Sequence, residues 1–398
     1  MLIKLGIWSN MKNILVTIFL RGGCDGLNLV APSADPIYIA ERKPESRVER
    51  EGDNKGLPLR NTLADNDFRF HFKAGKLKEL YDRKQLAIVH SCGLTNGTRS
   101  HFEATDYMER GTPDNKNTPT GWLTRLTSNM NLLNAALPVV SGSNVLPASL
   151  LACSRAMAIP NVRKLQLKTD SRFHLVQETL LKKRYGEKSL IGVDGLHMLG
   201  VLDLITSHMP QDASGKAIDY IPKAGVTYPE EYYAKELSNS LKTIAQLIKM
   251  DIGLQFATAD FGGWDTHIGQ GGRFPNLVDG LSHSIGAFWD DLASIQDNLI
   301  IVVMSEFGRR LKSNDSGGTD HGHGNVMLVI GNQVNGGNIY GKWLGLSNEH
   351  LDNQVDLAVT TDYRTVLAEI TAKSFKNKDM NSIFPGFSPD TMPGIIKG

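Results

Sequence analysis

Ile14-Leu15-Val16-Thr17-Ile18-Phe19-Leu20 runs straight into Arg21-Gly22-Gly23-Cys24-Asp25-Gly26. An unbroken apolar run of this length reads as a strand covered on both faces. The residues that follow it are polar and glycine-rich, as at a ligand-facing turn. The same arrangement recurs. Ile252 to Thr258 leads into Asp260 and Gly262-Gly263-Trp264-Asp265-Thr266-His267, and Leu299 to Ser305 leads into Glu306-Phe307-Gly308-Arg309-Arg310. A fourth cluster, Gly318-Thr319-Asp320-His321-Gly322-His323-Gly324, precedes the run Asn325 to Gly331. In open α/β sheets, ligands bind outside the carboxyl ends of the strands. Acidic and histidine residues gathered there read as one shared site.

Working outward, strands are expected at 86–90, 138–141 and 325–330 as well, alternating with helices at 74–83, 100–110, 275–296 and 362–373. Residues 41–66 are polar and read as a surface excursion. Residues 171–250 are mostly helical, with Leu237, Leu241, Ala245 and Ile248 at helical spacing. They are expected to cover one sheet face or to form a helical cap or insertion over the site, within a single domain spanning 11–390. Strands alternating with helices predict an α/β fold, a mostly parallel sheet sandwiched between helices.

The 398 residues are 41% hydrophobic, enough for a large core. Lys and Arg number 43 against 42 Asp and Glu, so overall charge offers no argument for a nucleic-acid or anionic-membrane partner. Three cysteines do not suggest a disulfide framework, and the lack of a C-x-x-C pair excludes a structural zinc ribbon. The run at 14–20 is too short to span a bilayer. No signal peptide is seen, which makes the cytoplasm the expected compartment for the sequence as written, or the periplasm or exterior if the true start lies upstream.

Each cluster has a plainer reading. The two histidines of 319–324, with Asp320, are suited to a metal but also to a solvated loop. Asp265 and His267 could share a metal, or Asp265 could cap a turn. Glu306 closes a buried strand, where a carboxylate needs a partner, either an ion or Arg309 or Arg310. Arg309 could also grip an anionic substrate oxygen. Asp25 sits in an Asp-Gly turn. Ser100 and Glu103 fit a capping box. A hydroxyl at that helix start lies in positive potential and is a candidate nucleophile. In the plainer reading Ser100 only caps, and His101 is a surface residue or one that supports a ligand from behind.

Six ordered segments, ILVTIFLRGGCDGLNLVAP, RSHFEATDYMERG, GGWDTH, SEFGRR, GTDHGHG and TTDYRTVLAEI, resemble the sulfatase-like proteins of domain-of-unknown-function family 1501, from about Met11 to Pro385. That family is placed in the alkaline phosphatase superfamily of phosphatases, sulfatases and phosphomutases. The resemblance implies an alkaline phosphatase/sulfatase-like fold. It implies one or two divalent ions (zinc, manganese or calcium) held by Asp25, Asp265, His267, Glu306 and His321, with Asp320 or His323 joining them. It implies Ser100 or Thr98 as nucleophile, with Arg99 or Arg309 offsetting charge. The substrate would be a small-molecule or polymer-borne phosphate or sulfate ester. Glu306-Phe307 stands where an aspartate-histidine pair is usual, which removes one ligand. No cysteine begins the C-x-P-x-R sequence of formylglycine sulfatases. A non-catalytic scaffold that binds a metal or ligand is the alternative, and a phosphomutase-type transfer is a third.

Overall fold

The computed structural model describes residues 12–60, 63, 66–132, 135–165, 173–186, 190–214 and 217–398. Residues 1–11, among them Met11 at the expected domain start, and residues 171–172, 187–189 and 215–216 of the expected 171–250 segment lie outside the described residues. Fourteen strands are present among the described residues. They are β1 (Ile14–Leu20), β2 (Val30–Pro32), β3 (Leu57–Pro58), β4 (Phe68–Phe70), β5 (Leu86–Gly93), β6 (Val139–Ser141), β7 (Ala156–Ala158), β8 (Phe256–Phe261), β9 (Leu299–Met304), β10 (Arg309–Ser313), β11 (Thr319–His321), β12 (Asn325–Ile330), β13 (Ile339–Tyr340) and β14 (Thr361–Asp362).

The main sheet has the order β13-β5-β12-β9-β1-β8-β6-β7, with β14 also on β5. β1 pairs in parallel with both β8 and β9, and β6 with β7 and β8. Only β12 runs against its neighbours β5 and β9. The expected mostly parallel sheet is therefore what the chain forms. The one reversed strand is the one whose histidine cluster precedes it. Reversal puts the start of β12 at the same edge as the ends of β1, β8 and β9.

Both sheet faces are covered, which is why the strands read as unbroken apolar runs. Along β1, Ile14, Val16, Ile18 and Leu20 enter one core cluster, and Leu15 and Phe19 enter the other. The helices are α1 (Gly26–Leu29), α2 (Pro36–Glu41), α3 (Gly75–Asp82), α4 (His101–Arg110), α5 (Trp122–Ser128), α6 (His174–Tyr185), α7 (Leu190–His208), α8 (Lys235–Lys249), α9 (Gln270–Asp291), α10 (Tyr363–Ser374) and α11 (Met380–Ile383). Side chains of α3, α8 and α9, among them Leu77, Leu241 and Leu281, join the first cluster. Those of α4, α5 and α10, among them Met108, Leu126 and Leu367, join the second. α8 thus packs its apolar face against the sheet. α6 leaves Leu175, Val176 and Leu180 exposed.

Two expectations shift. The strand foreseen at 252–258 begins at Phe256 and continues to Phe261, so Asp260 lies within β8, paired opposite Phe19. The excursion at 41–66 is not all surface, because Arg42 is buried. No described helix is long and apolar enough to cross a membrane.

Candidate metal centre

α4 begins where the capping box places it. The Ser100 hydroxyl accepts a 3.5 Å hydrogen bond from the Glu103 backbone N–H. The helix ends on Gly111 at φ 68°, the left-handed position that glycine fills without strain. Its first residue, His101, points inward. Asp265 and His267 come from the loop after β8, and His321 from the end of β11, beside the start of β12.

These four side chains meet. One ligand atom each from His101, Asp265 and His321 lie within 4.8 Å of one another. Asp265 Oδ1 is 3.5 Å from His101 Nε2, 3.3 Å from His321 Nε2 and 3.1 Å from His267 Nε2. The Nε2 atoms of His267 and His321 are 2.8 Å apart. Every opposite ring nitrogen is held from behind. His101 Nδ1 lies 2.8 Å from Glu306 Oε1, His267 Nδ1 3.1 Å from Asp320 Oδ1, and His321 Nδ1 2.8 Å from the Arg99 carbonyl. Metal-binding histidines have this character, with one nitrogen free for the ion and the other donating to an acceptor that fixes the tautomer. His101 Nε2 is buried with no hydrogen-bond partner. An orphaned buried nitrogen costs about 1–3 kcal/mol unless something takes its lone pair. The donor set fits a divalent cation.

The surrounding charges match. Burial works to raise the Asp265 pKa, but Arg309 and the neighbouring histidines outweigh it and hold it at about 2. Burial works on Glu306 in the same direction, and the hydrogen bonds from His101 and the Gly22 N–H outweigh it, leaving a carboxylate. The Glu306 contact raises the pKa of His101, whereas burial lowers that of His321. Beneath the cluster, the buried Phe307 ring lies 4.8 Å from the His101 ring and 4.9 Å from that of His321. At Gly22 (φ 117°), a Cβ would come 2.5 Å from the Asp265 nitrogen, so only glycine lets the two loops approach.

Of the residues singled out in the sequence, Asp265, His267 and His321 converge, and the others take different places. Asp25 is fully buried in a two-pronged ion pair with Arg42 and also accepts from Gln270, so its oxygens are occupied. Glu306 and Asp320 hold His101 and His267 from behind, with Glu306 also bound to Gly22. His323 is engaged at both nitrogens, by Asp352 and the Leu94 carbonyl. The Arg309 guanidinium is buried and spent on the carbonyls of Gly22, Gly23, Trp264 and Thr319 and on Asp265, so it cannot grip a substrate. Arg99 pairs with buried Asp356. The Thr98 hydroxyl donates to Glu103. His101 is the residue that sequence reasoning missed. Its signal was its place beside the capping serine, at the mouth of the strand ends.

An α/β sheet with a metal-capable cluster at its strand ends is the class that fold and site define. Residues 230–382 match the model of a family described as "Protein of unknown function (DUF1501)", a stretch that holds the last four of the six motifs but not the first two. That stretch contains Asp265, His267 and His321 but not His101. No curated protein matches the chain. Among solved structures, the phosphonate monoester hydrolase SpPMH from Silicibacter pomeroyi is similar at 10% identity and TM-score 0.42, over 96% of this chain and 78% of that one. "Ps i-CgsB in complex with k-i-k-neocarrahexaose" is similar at 10% and 0.41, over 94% and 75%. The alkaline phosphatase from the Antarctic bacterium TAB5 is similar at 10% and 0.33, over 83% and 95%.

Proposed function

We propose that the protein is a metal-dependent hydrolase of phosphate or sulfate esters, built around one zinc-type cation. The observation that carries this reading is the convergence of the His101 and His321 Nε2 atoms with the Asp265 carboxylate, with His267 Nε2 beside them and each imidazole backed by an acceptor. His101, Asp265 and His321 would hold the ion. Imidazole-rich sets suit zinc, whereas calcium takes six to eight oxygens. Three protein ligands leave a position for substrate, as catalytic zinc sites do. A cation bound there would polarise an ester oxygen as a Lewis acid.

The chain's own residues supply the rest. Ser100 precedes His101, so their Cα atoms are about 3.8 Å apart. Its hydroxyl lies at the positive end of α4, where developing negative charge is stabilised. Ser100 Oγ attacks phosphorus or sulfur, and the bond to the alcohol oxygen breaks. His267, oriented by Asp320, carries the serine proton to the departing alcohol. Water then cleaves the seryl ester, restoring Ser100 and releasing phosphate or sulfate. Arg309 steadies Asp265 throughout.

Metal analysis and turnover of aryl phosphates and sulfates test this. The expected result is a single retained zinc and turnover abolished by chelator, then restored by zinc. Activity indifferent to chelator in a metal-free protein would sink it. A metal-holding scaffold without chemistry is the second reading, favoured by the use of Ser100 as a helix cap. Zinc bound tightly with no ester turned over, and Ser100→Ala without effect, would select it.

A further inference from the structure

A cleft of 610 Å³ opens between the start of α8, the loop after β8 and the start of α9. Its lining mixes aromatic faces with polar groups: Tyr232, Tyr233 and Phe261 beside Glu236, Arg273 and Asn276. The cleft and the metal cluster share one loop. Gly263 and Gly269 line the cleft, and each is two residues from a cluster residue, Asp265 and His267 respectively. Chain geometry keeps those Cα atoms within about 7 Å.

Two features mark this as a place for a ligand. Tyr232 is 89% exposed, with its ring edge-on to Tyr233 at 5.7 Å, an aromatic surface left without a covering group. Arg273 has no carboxylate partner among the described residues, unlike Arg99 and Arg309, which Asp356 and Asp265 neutralise. A Cβ placed on Gly263 would lie 3.4 Å from an Arg273 guanidinium nitrogen, so this charge sits beside Gly263, two residues from Asp265.

We infer that the cleft beside the metal cluster seats the alcohol portion of the ester, a polyhydroxylated ring of the sugar type, with Arg273 opposite the anionic group. This rests on the hydrolase reading and adds the substrate class to it. Sugar rings have apolar faces that stack on tyrosine, and hydroxyls that need donors and acceptors around their rim. An open cleft walled by tyrosines, an arginine, an asparagine and a glutamate meets both needs. A purely aromatic alcohol would use only the rings and make no use of Arg273 or of the remaining hydrogen-bonding capacity of Glu236 and Asn276, which already pair with the Gly262 N–H and the Gly272 carbonyl.

Gly272 allows the test. It lines the cleft on α9, and a Cβ there meets nothing within 4 Å. Gly272→Trp therefore fills the cleft without touching the cluster, and the helix tolerates it better than glycine. The experiment measures calorimetric binding of glucose 6-phosphate, glucose 6-sulfate, phenyl phosphate and methyl phosphate to the zinc-loaded Ser100→Ala protein, which cannot turn them over. Zinc binding is measured alongside. The sugar esters are expected to bind about tenfold tighter than methyl phosphate, the size of one good aromatic contact. Gly272→Trp is expected to erase that advantage while zinc affinity is kept. Arg273→Gln is expected to weaken every anion. Equal binding of all four probes, tighter binding of phenyl phosphate than of the sugars, or no effect of Gly272→Trp overturns the inference while leaving the metal reading intact. Loss of zinc binding itself overturns both.

Discussion

At the scale of single residues, the centre depends on what stands behind each ligand. His321→Ala removes a converging nitrogen, and zinc affinity is expected to fall by at least a hundredfold in a calorimetric titration. His267→Ala should keep most of the zinc and lose most of the turnover, since His267 is assigned to the proton and not to the ion. Equal zinc loss in both variants would refute that division. Glu306→Gln keeps the shape but not the charge behind His101, and a 10–100-fold weakening of zinc is expected, as for other partners of bound histidines. Asp265, His267 and His321 were legible because they follow or precede obvious strands. His101 was not, because its ring reaches the site through the first turn of a helix whose sequence advertises a cap. Asp25 was misread for the opposite reason. Its partner, Arg42, lies in a stretch so polar that it read as surface, yet the Arg42 and Asp25 side chains are both 0% exposed. Removing one member of such a buried pair should cost about 3–5 kcal/mol, so Asp25→Ala is expected to lower the urea midpoint sharply.

At the scale of elements, the apolar runs were readable because helices cover both faces of the sheet. The bounds that moved were those set by neighbours. β8 begins at Phe256 because the Gln255 and Phe256 N–H groups both donate to the Pro138 carbonyl, a contact that no local pattern encodes. The direction of β12 was hidden in the same way. Its composition is that of its parallel neighbours, and only the position of its histidines, before the run and not after it, carried the hint. The C-terminal turn of α4 offers a local test. Gly111→Ala must hold φ near 68° and would press a Cβ to 2.8 Å from the Phe384 ring. A loss of about 1–2 kcal/mol in thermal unfolding is expected, with zinc binding unchanged because the helix start is untouched.

At the scale of the whole molecule, two buried histidines outside the cluster bear on its tolerance to acid. Burial drives the pKa of His71 to about 3 and that of His90 to about 4. His90 is neutral by construction, with Nε2 donating to the Val30 carbonyl and Nδ1 accepting from the Ser91 N–H. In the unfolded chain both titrate near 6.5. Between about pH 6.5 and 4 the unfolded state therefore binds protons that the folded state refuses, and stability is lost as pH falls. The total is on the order of a few kcal/mol. Urea midpoints measured across this window should fall, and His90→Gln should flatten the slope.

The reversal of β12 also bears on the order in which the molecule assembles. The excursion 305–324 leaves β9 and returns on the adjacent strand, so closing it costs little chain entropy. Joining β1 to β9 brings together residues such as Leu20 and Ser305, 285 positions apart in the chain. Glu306 and His321 can thus be neighbours early, whereas His101 and Asp265 arrive only when β5 and β8 dock. An ion held by the proposed ligands would then be captured late, after the sheet has closed. If the proposed zinc site is right, the rate of zinc uptake during refolding would be a clock for the last step of folding, and zinc added at the start should not hasten the earlier ones.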